Sequence, residues 1–225
     1  MVPVRAKAVE AALASKAANE NICREAASLV LDAIDPVAEF CGSEINGDSR
    51  SRGMAEGDTG IGRLVADELA FCGIKLVASL PDNWVMDIIR TVDTDERFVH
   101  VPVNREEAAV GLCSGAFFGA MGSAALMGAS GFMTLIYALT KINYTYEIPV
   151  FILMTLRGAG GDTQKHHISN GLYLLPVLES INMPYQIIDK RSDLGLISRS
   201  YRHSRTFSRP TAVIFSKELL LGRGA

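Results

Sequence analysis

The sequence predicts an α/β fold: a doubly wound, mainly parallel six-stranded sheet with helices on both faces, plus a helical N-terminal extension. Three observations predict it. From about residue 58 onward, short apolar, β-branched runs alternate with amphipathic stretches, the pattern of repeated βαβ units. Each stretch between two runs is long enough for a right-handed crossover. The polar, Gly-rich and His-rich segments fall largely just after the apolar runs, on the rim where such sheets hold their ligands.

Residues 6–41 are rich in Ala, Glu, Lys and Leu, with Val9, Leu13, Ala17 and then Ala26, Leu29, Val30, Ala33 and Ile34 at helical spacing. From Gly42 to Gly60 the chain turns to Gly, Ser, Asp and Arg without periodic apolar positions, which reads as a linker. Residues 1–55 are therefore an extension and linker, and 56–225 the main domain. Strands are expected at 75–80, 97–102, 123–127, 149–156, 184–188 and 211–216. Helices are expected at 60–72, 83–91, 105–120, 131–146, 171–182 and 193–206.

A chain of 225 residues with 48% hydrophobic and 21% charged residues suits a packed core and excludes a disordered chain. A formal charge of -3 and scattered basic residues argue against nucleic acid as a partner. No apolar run reaches the roughly 18–20 residues needed to cross a bilayer, and the N-terminus lacks the apolar core of a secretory signal. A cytoplasmic location with no membrane partner is expected. Cys23, Cys41, Cys72 and Cys113 show no CxxC pair and no zinc-ligand spacing, so they read as free thiols.

Asn104 followed by Glu107 reads as a capping box opening the next helix, with Glu106 at its second position favoured by the positive helix end. That helix carries Gly111, Gly115 and Gly119 on one face, a smooth stripe open to a second helix or a cofactor ring. His166 and His167 adjoin in a Gly-flanked loop that starts at Arg157, and an imidazole pair suits proton transfer near neutrality as well as a solvated loop. Asp82 lies in a Pro-Asp turn, where capping of the following helix is an equal reading.

Val103-Asn104-Arg105-Glu106-Glu107-Ala108-Ala109-Val110-Gly111, then Ala125-Leu126-Met127-Gly128-Ala129-Ser130-Gly131, then Glu147 to Gly158, together resemble the pyrimidine-binding domain of thiamine diphosphate enzymes. Val77 to Asn83 fits the first strand and turn, and the likeness, which spans about 60–216, is nearest to phosphonopyruvate and sulfopyruvate decarboxylases. The resemblance implies that Glu106 contacts N1′ of the cofactor's aminopyrimidine, a role that suits a carboxyl whose pKa is raised by desolvation. It implies that Ser130, Gly131 and Phe132 line the cofactor. It implies catalytic roles for His167, His166 and Asp82 in proton delivery, with His167 favoured as the inward member because Gly171 follows at the family's spacing. Arg157, Lys165, Arg105 and Asn83 are the expected contacts to an anionic substrate tail.

Two departures stand out. Gly128-Ala129 replaces the family's usual Gln-Asn, and Phe132-Met133 replaces a smaller Leu-Gly pair. No Gly-Asp-Gly occurs, so the magnesium and diphosphate are expected to be held by a separate beta subunit carrying that motif, in an α2β2 or larger hetero-oligomer. The resulting expectation is the alpha subunit of a 2-oxoacid decarboxylase acting on 3-sulfopyruvate, with phosphonopyruvate as the alternative. A doubly wound regulatory module is the competing class, although neither GxGxxG nor GxxxxGK[ST] is present. A non-catalytic structural subunit is the other.

Overall fold

The structure, a computed structural model, describes residues 60–160 and 162–221. The chain divides into two units, Met1–Asp58 and Thr59–Ala225. The helical extension expected at 1–55, with Cys23 and Cys41, lies outside the described residues.

Six strands form one sheet in the order β2-β1-β3-β4-β6-β5. They are β1 Ile74–Ser79, β2 Val99–Pro102, β3 Gly122–Met127, β4 Phe151–Thr155, β5 Tyr185–Ile188 and β6 Thr211–Phe215. Every pairing is parallel, with registers such as Val77↔Ala124 and Leu153↔Val213. The central strands are apolar because both faces are covered. Ala124, Leu126, Phe151 and Leu153 face one apolar layer, and Ala125, Met127, Ile152 and Met154 face the other.

The first layer is completed by α1 (Ile61–Phe71), by α2 (Met86–Thr94), and by Ile197 and Tyr201. The second is completed by α3 (Glu106–Phe118), α4 (Ala129–Phe132), α5 (Ile136–Ala138) and α6 (Ile168–Ser180). Ile197 and Tyr201 belong to α7 (Leu196–Phe207), and a final short turn, α8 (Lys217–Leu220), follows β6. Among the described residues no helix is long and apolar enough to cross a membrane.

The helix expected at 131–146 is broken. It consists of α4, α5 and a π-helical segment Leu139–Tyr144. The wider turn seats fully buried Asn143 against α3, where its amide donates to Ser114 Oγ at 2.9 Å and to the Ile148 carbonyl at 3.2 Å.

The capping box is also corrected. The helix begins at Glu106, its N-cap is Arg105 in an extended conformation, and no side chain caps it. Glu107 instead pairs with the Arg105 guanidinium at 3.2 Å. Along the glycine stripe a Cβ at Gly111 or Gly115 would have no neighbour within 4 Å among the described residues, and one at Gly119 would meet only the Ala116 and Gly115 carbonyls of its own helix.

The chain runs from β1 outward to β2 and then back past β1 to β3, so the order reverses between β1 and β3. The carboxyl ends of these two strands open the crevice in which doubly wound folds bind ligands.

Candidate active site at the carboxyl rim of the sheet

Three turns converge on the crevice. After β1 comes Pro81-Asp82-Asn83-Trp84, after β3 comes Gly128-Ala129-Ser130-Gly131, and after β2 the chain enters α3 at Glu106. The β3 turn is pinned from below, since the Ala129 amide donates to Thr155 Oγ1 at 3.1 Å at the end of β4. It is pinned from the side by Asn170, whose side-chain amide donates to Ser130 Oγ at 2.8 Å.

Glu106 is half-buried at the first turn of α3, where the helix dipole favours a negative charge. Its carboxyl group lies directly against Gly131, so that a Cβ at that position would overlap it. Among the described residues the Glu106 carboxylate makes no hydrogen bond. Gly128 does the same for Asp82: a Cβ there would overlap the Asp82 carboxylate. The Gly128 that departs from the family's Gln is thus the residue that lets Asp82 cross the crevice.

Asp82 is clasped. Its Oδ2 accepts from the Arg157 guanidinium at 2.6 Å and its Oδ1 accepts from the Trp84 amide at 2.9 Å. The second guanidinium nitrogen of Arg157 lies 2.6 Å from His167 Nε2, and His167 Nδ1 lies 2.8 Å from Asp162 Oδ2. Asp162 also accepts from the Gly158 and Gln164 amides at 2.9 and 3.1 Å. Burial alone would raise the Asp162 pKa. The two amides and the His167 ring outweigh that and bring it down to about 2. Trp84 closes the assembly, with the Arg157 guanidinium 4.5 Å from its ring centroid and the His167 ring edge-on at 5.6 Å.

The residues expected from sequence fall into three groups. Glu106, Gly131, Ser130 and Asp82 meet at the crevice. Of the histidine pair, His167 points inward at 5% exposure and His166 is exposed, with the two rings 4.2 Å apart. Lys165, Asn83 and Arg105 are exposed, Arg105 carrying Glu107 as its partner.

Two expectations are corrected. Phe132 is fully buried in the apolar layer under β3 and offers its side chain to no ligand in this chain. Arg157 is buried, and its guanidinium is occupied by Asp82, His167 and Trp84, so it is no open cation for a substrate tail.

Asp162, Trp84, Thr155 and Asn170 escape sequence reasoning. An Asp five residues before His167 was the one visible signal. The described cysteines, Cys72 and Cys113, are free, and burial pushes their thiols up to about 11 and about 12, which leaves them unreactive. Among the described residues no cluster of metal-ligating side chains occurs.

The parallel doubly wound fold is shared with part of a larger solved chain. The chain overlays on the 2-oxoglutarate:ferredoxin oxidoreductase of Magnetococcus marinus with a TM-score of 0.57 at 12% identity, covering 96% of this chain and 38% of that one. No protein-family model matches the chain. It is 31% identical over 113 residues to the sulfopyruvate decarboxylase alpha subunit of Methanococcus maripaludis, covering 50% of this chain and 68% of that subunit. It is 27% identical over 123 residues to the phosphonopyruvate decarboxylase of Streptomyces viridochromogenes, covering 54% of this chain and 31% of that enzyme. The chain belongs to the family of sulfopyruvate decarboxylase alpha subunits.

Proposed function

We propose that this chain is the cofactor-activating subunit of a thiamine diphosphate-dependent decarboxylase that converts 3-sulfopyruvate to sulfoacetaldehyde and carbon dioxide. The observation that carries the reading is Glu106, a half-buried carboxylate at a helix N-terminus, facing a glycine and without a hydrogen-bond partner among the described residues. A buried polar group is normally satisfied, so a ligand that supplies a ring nitrogen fits this place. The backbone at Gly131 leaves the approach clear, and the pinned Ser130 borders it.

Thiamine diphosphate bound here supplies the carbanion and the electron sink that decarboxylation needs. The chain's own part is to hold a proton between Glu106 and N1′ of the aminopyrimidine. It also presents the Asp82 carboxylate across the crevice and offers exposed His166 for proton delivery at the rim. Lys165, Arg105 and Asn83 are exposed on this rim and are assigned to the anionic tail. Magnesium and the diphosphate belong to a beta subunit with a Gly-Asp-Gly motif, in a cytoplasmic α2β2 or larger assembly. The likeness to the phosphonopyruvate enzyme supports phosphonopyruvate as the second substrate reading, since sulfonate and phosphonate are both tetrahedral anions served by the same cations.

The test is co-purification with such a beta subunit, followed by aldehyde release from sulfopyruvate, phosphonopyruvate, pyruvate and benzoylformate with the cofactor and magnesium. Turnover of sulfopyruvate that needs both chains is expected. Turnover confined to pyruvate or benzoylformate would overturn the substrate assignment, and full activity of either chain alone would overturn the division of labour.

A further inference from the structure

The geometry assigns Asp162 and Trp84 as positioning residues that act through His167 and Arg157 to fix the Asp82 carboxylate in the crevice. This rests on the reading of the rim as the active site, and it adds two residues that the reading itself does not use.

The chemistry of the chain of contacts is one-directional. A guanidinium has only N–H donors, so at 2.6 Å the Nε2 of His167 must be the acceptor. The ring proton is then on Nδ1, where it is donated to Asp162 at 2.8 Å. The Asp162 side chain is only 3% exposed, and its pair of backbone amides keeps it an anion able to accept that proton. With His167 held in this tautomer, one face of the Arg157 fork is occupied and the other is aimed at Asp82 Oδ2. Trp84 fixes the plane of the guanidinium from one side and ties Asp82 Oδ1 through its own amide.

The backbone supports the same geometry. Gly158 adopts φ +72°, and a Cβ there would overlap the His167 carbonyl, so the start of the loop lies flat against its histidine end. Gly171 packs against the same glycine, since a Cβ at Gly171 would overlap the Gly158 carbonyl.

A proton on His167 Nε2 would set two donors 2.6 Å apart and would release Arg157. The charged and titratable groups facing His167 are Asp162 on its own loop, Arg157 from the end of β4 and His166 beside it. Asp82 stands beyond Arg157. His167 is therefore an acceptor that aims Arg157, and proton delivery is left to the exposed His166.

Two measurements decide this. The first is the ¹⁵N spectrum of the histidine imidazoles in the full chain, which needs no activity. It is expected to show His167 with a protonated Nδ1 and an accepting Nε2, and to lose that signature in Asp162→Leu. A protonated Nε2 in the unaltered chain would overturn the proposal even if the enzyme is active.

The second is steady-state kinetics of Arg157→Lys and Asp162→Asn in the assembled enzyme, on sulfopyruvate and on pyruvate. A fall in kcat on the order of 10²-fold for both substrates, with KM within about twofold, is expected of a misplaced carboxylate. A rise in KM confined to sulfopyruvate would make Arg157 a ligand of the tail and overturn the positioning role. Absence of turnover on both substrates would count against the decarboxylase reading, and the imidazole spectrum would then decide the relay alone.

Discussion

Two carboxylates stand at the same crevice in opposite circumstances. Asp82 is held on both oxygens, by Arg157 and by the Trp84 amide, with a second rank of His167 and Asp162 behind the guanidinium. Glu106 has no hydrogen-bond partner among the described residues, and only the missing side chain of Gly131 makes room for it. Both sit where a glycine replaces a Cβ, so both are aimed into the same space. A carboxylate whose partners are all protein groups has its position fixed before any ligand arrives. One without partners is completed by the ligand. On the proposed function, the first corner orients and the second activates the cofactor.

The sharpest way to break the comparison is to exchange the chemistry of the unpartnered corner. Glu106→Gln is expected to lower turnover of the assembled enzyme by about 10²- to 10⁴-fold, the range for loss of a general acid–base group. Thermal unfolding should shift only slightly, because no hydrogen-bond partner is lost and only the helix-dipole contribution of about 0.3–1 kcal/mol goes. Gly131→Ala should reproduce part of this loss with Glu106 still in place, since the added methyl overlaps its carboxyl group.

The clasped corner should behave in the reverse way. Arg157→Met removes one partner of a largely buried ion pair and is expected to destabilise the domain by about 3 kcal/mol in urea unfolding. A loss under about 1 kcal/mol would show that Asp82 and His167 find water or new partners easily.

Asp162 provides the pH dependence of that corner. Its carboxyl is lowered from an ordinary 3.8 to about 2 in the folded chain, so its stabilisation is present above about pH 4 and is lost as pH falls through about 2. The size is on the order of 2 kcal/mol. Urea midpoints measured from pH 5 to pH 2 should fall less steeply for Asp162→Asn than for the parent chain. The smallest effect is expected at Thr155→Val, which removes the acceptor for the Ala129 amide and should cost about 1 kcal/mol with a modest loss of turnover.

The sheet was legible in the sequence because the inner strands β3, β4 and β6 are apolar runs buried on both faces, the partly buried edge strands β2 and β5 still carry β-branched residues, and all six appear within a few residues of their expected places. The π-helical break was not legible, because the pattern from 131 to 146 is helical throughout and the widening answers to the tertiary placement of Asn143. Glu106 could be read from its motif. Its helix position could not, because Arg105 enters α3 in an extended conformation and takes Glu107 for itself.

The relay was least legible. Asp82 and Arg157 are 75 residues apart in the chain and meet only because β1 and β4 end on the same rim. A buried Arg between two strand ends reads from sequence as an exposed cation. Gly128 was visible as a departure from the family, but its reason appears only when Asp82 is seen against it.

The most direct test of the central claim is the rate of deuterium exchange at the thiazolium C2 of thiamine diphosphate bound to the assembled pair. The account predicts fast exchange with the parent chain and a fall on the order of 10²-fold or more in Glu106→Gln, with cofactor still bound. Exchange at the parent rate in Glu106→Gln would contradict it, and would place the activating carboxylate elsewhere.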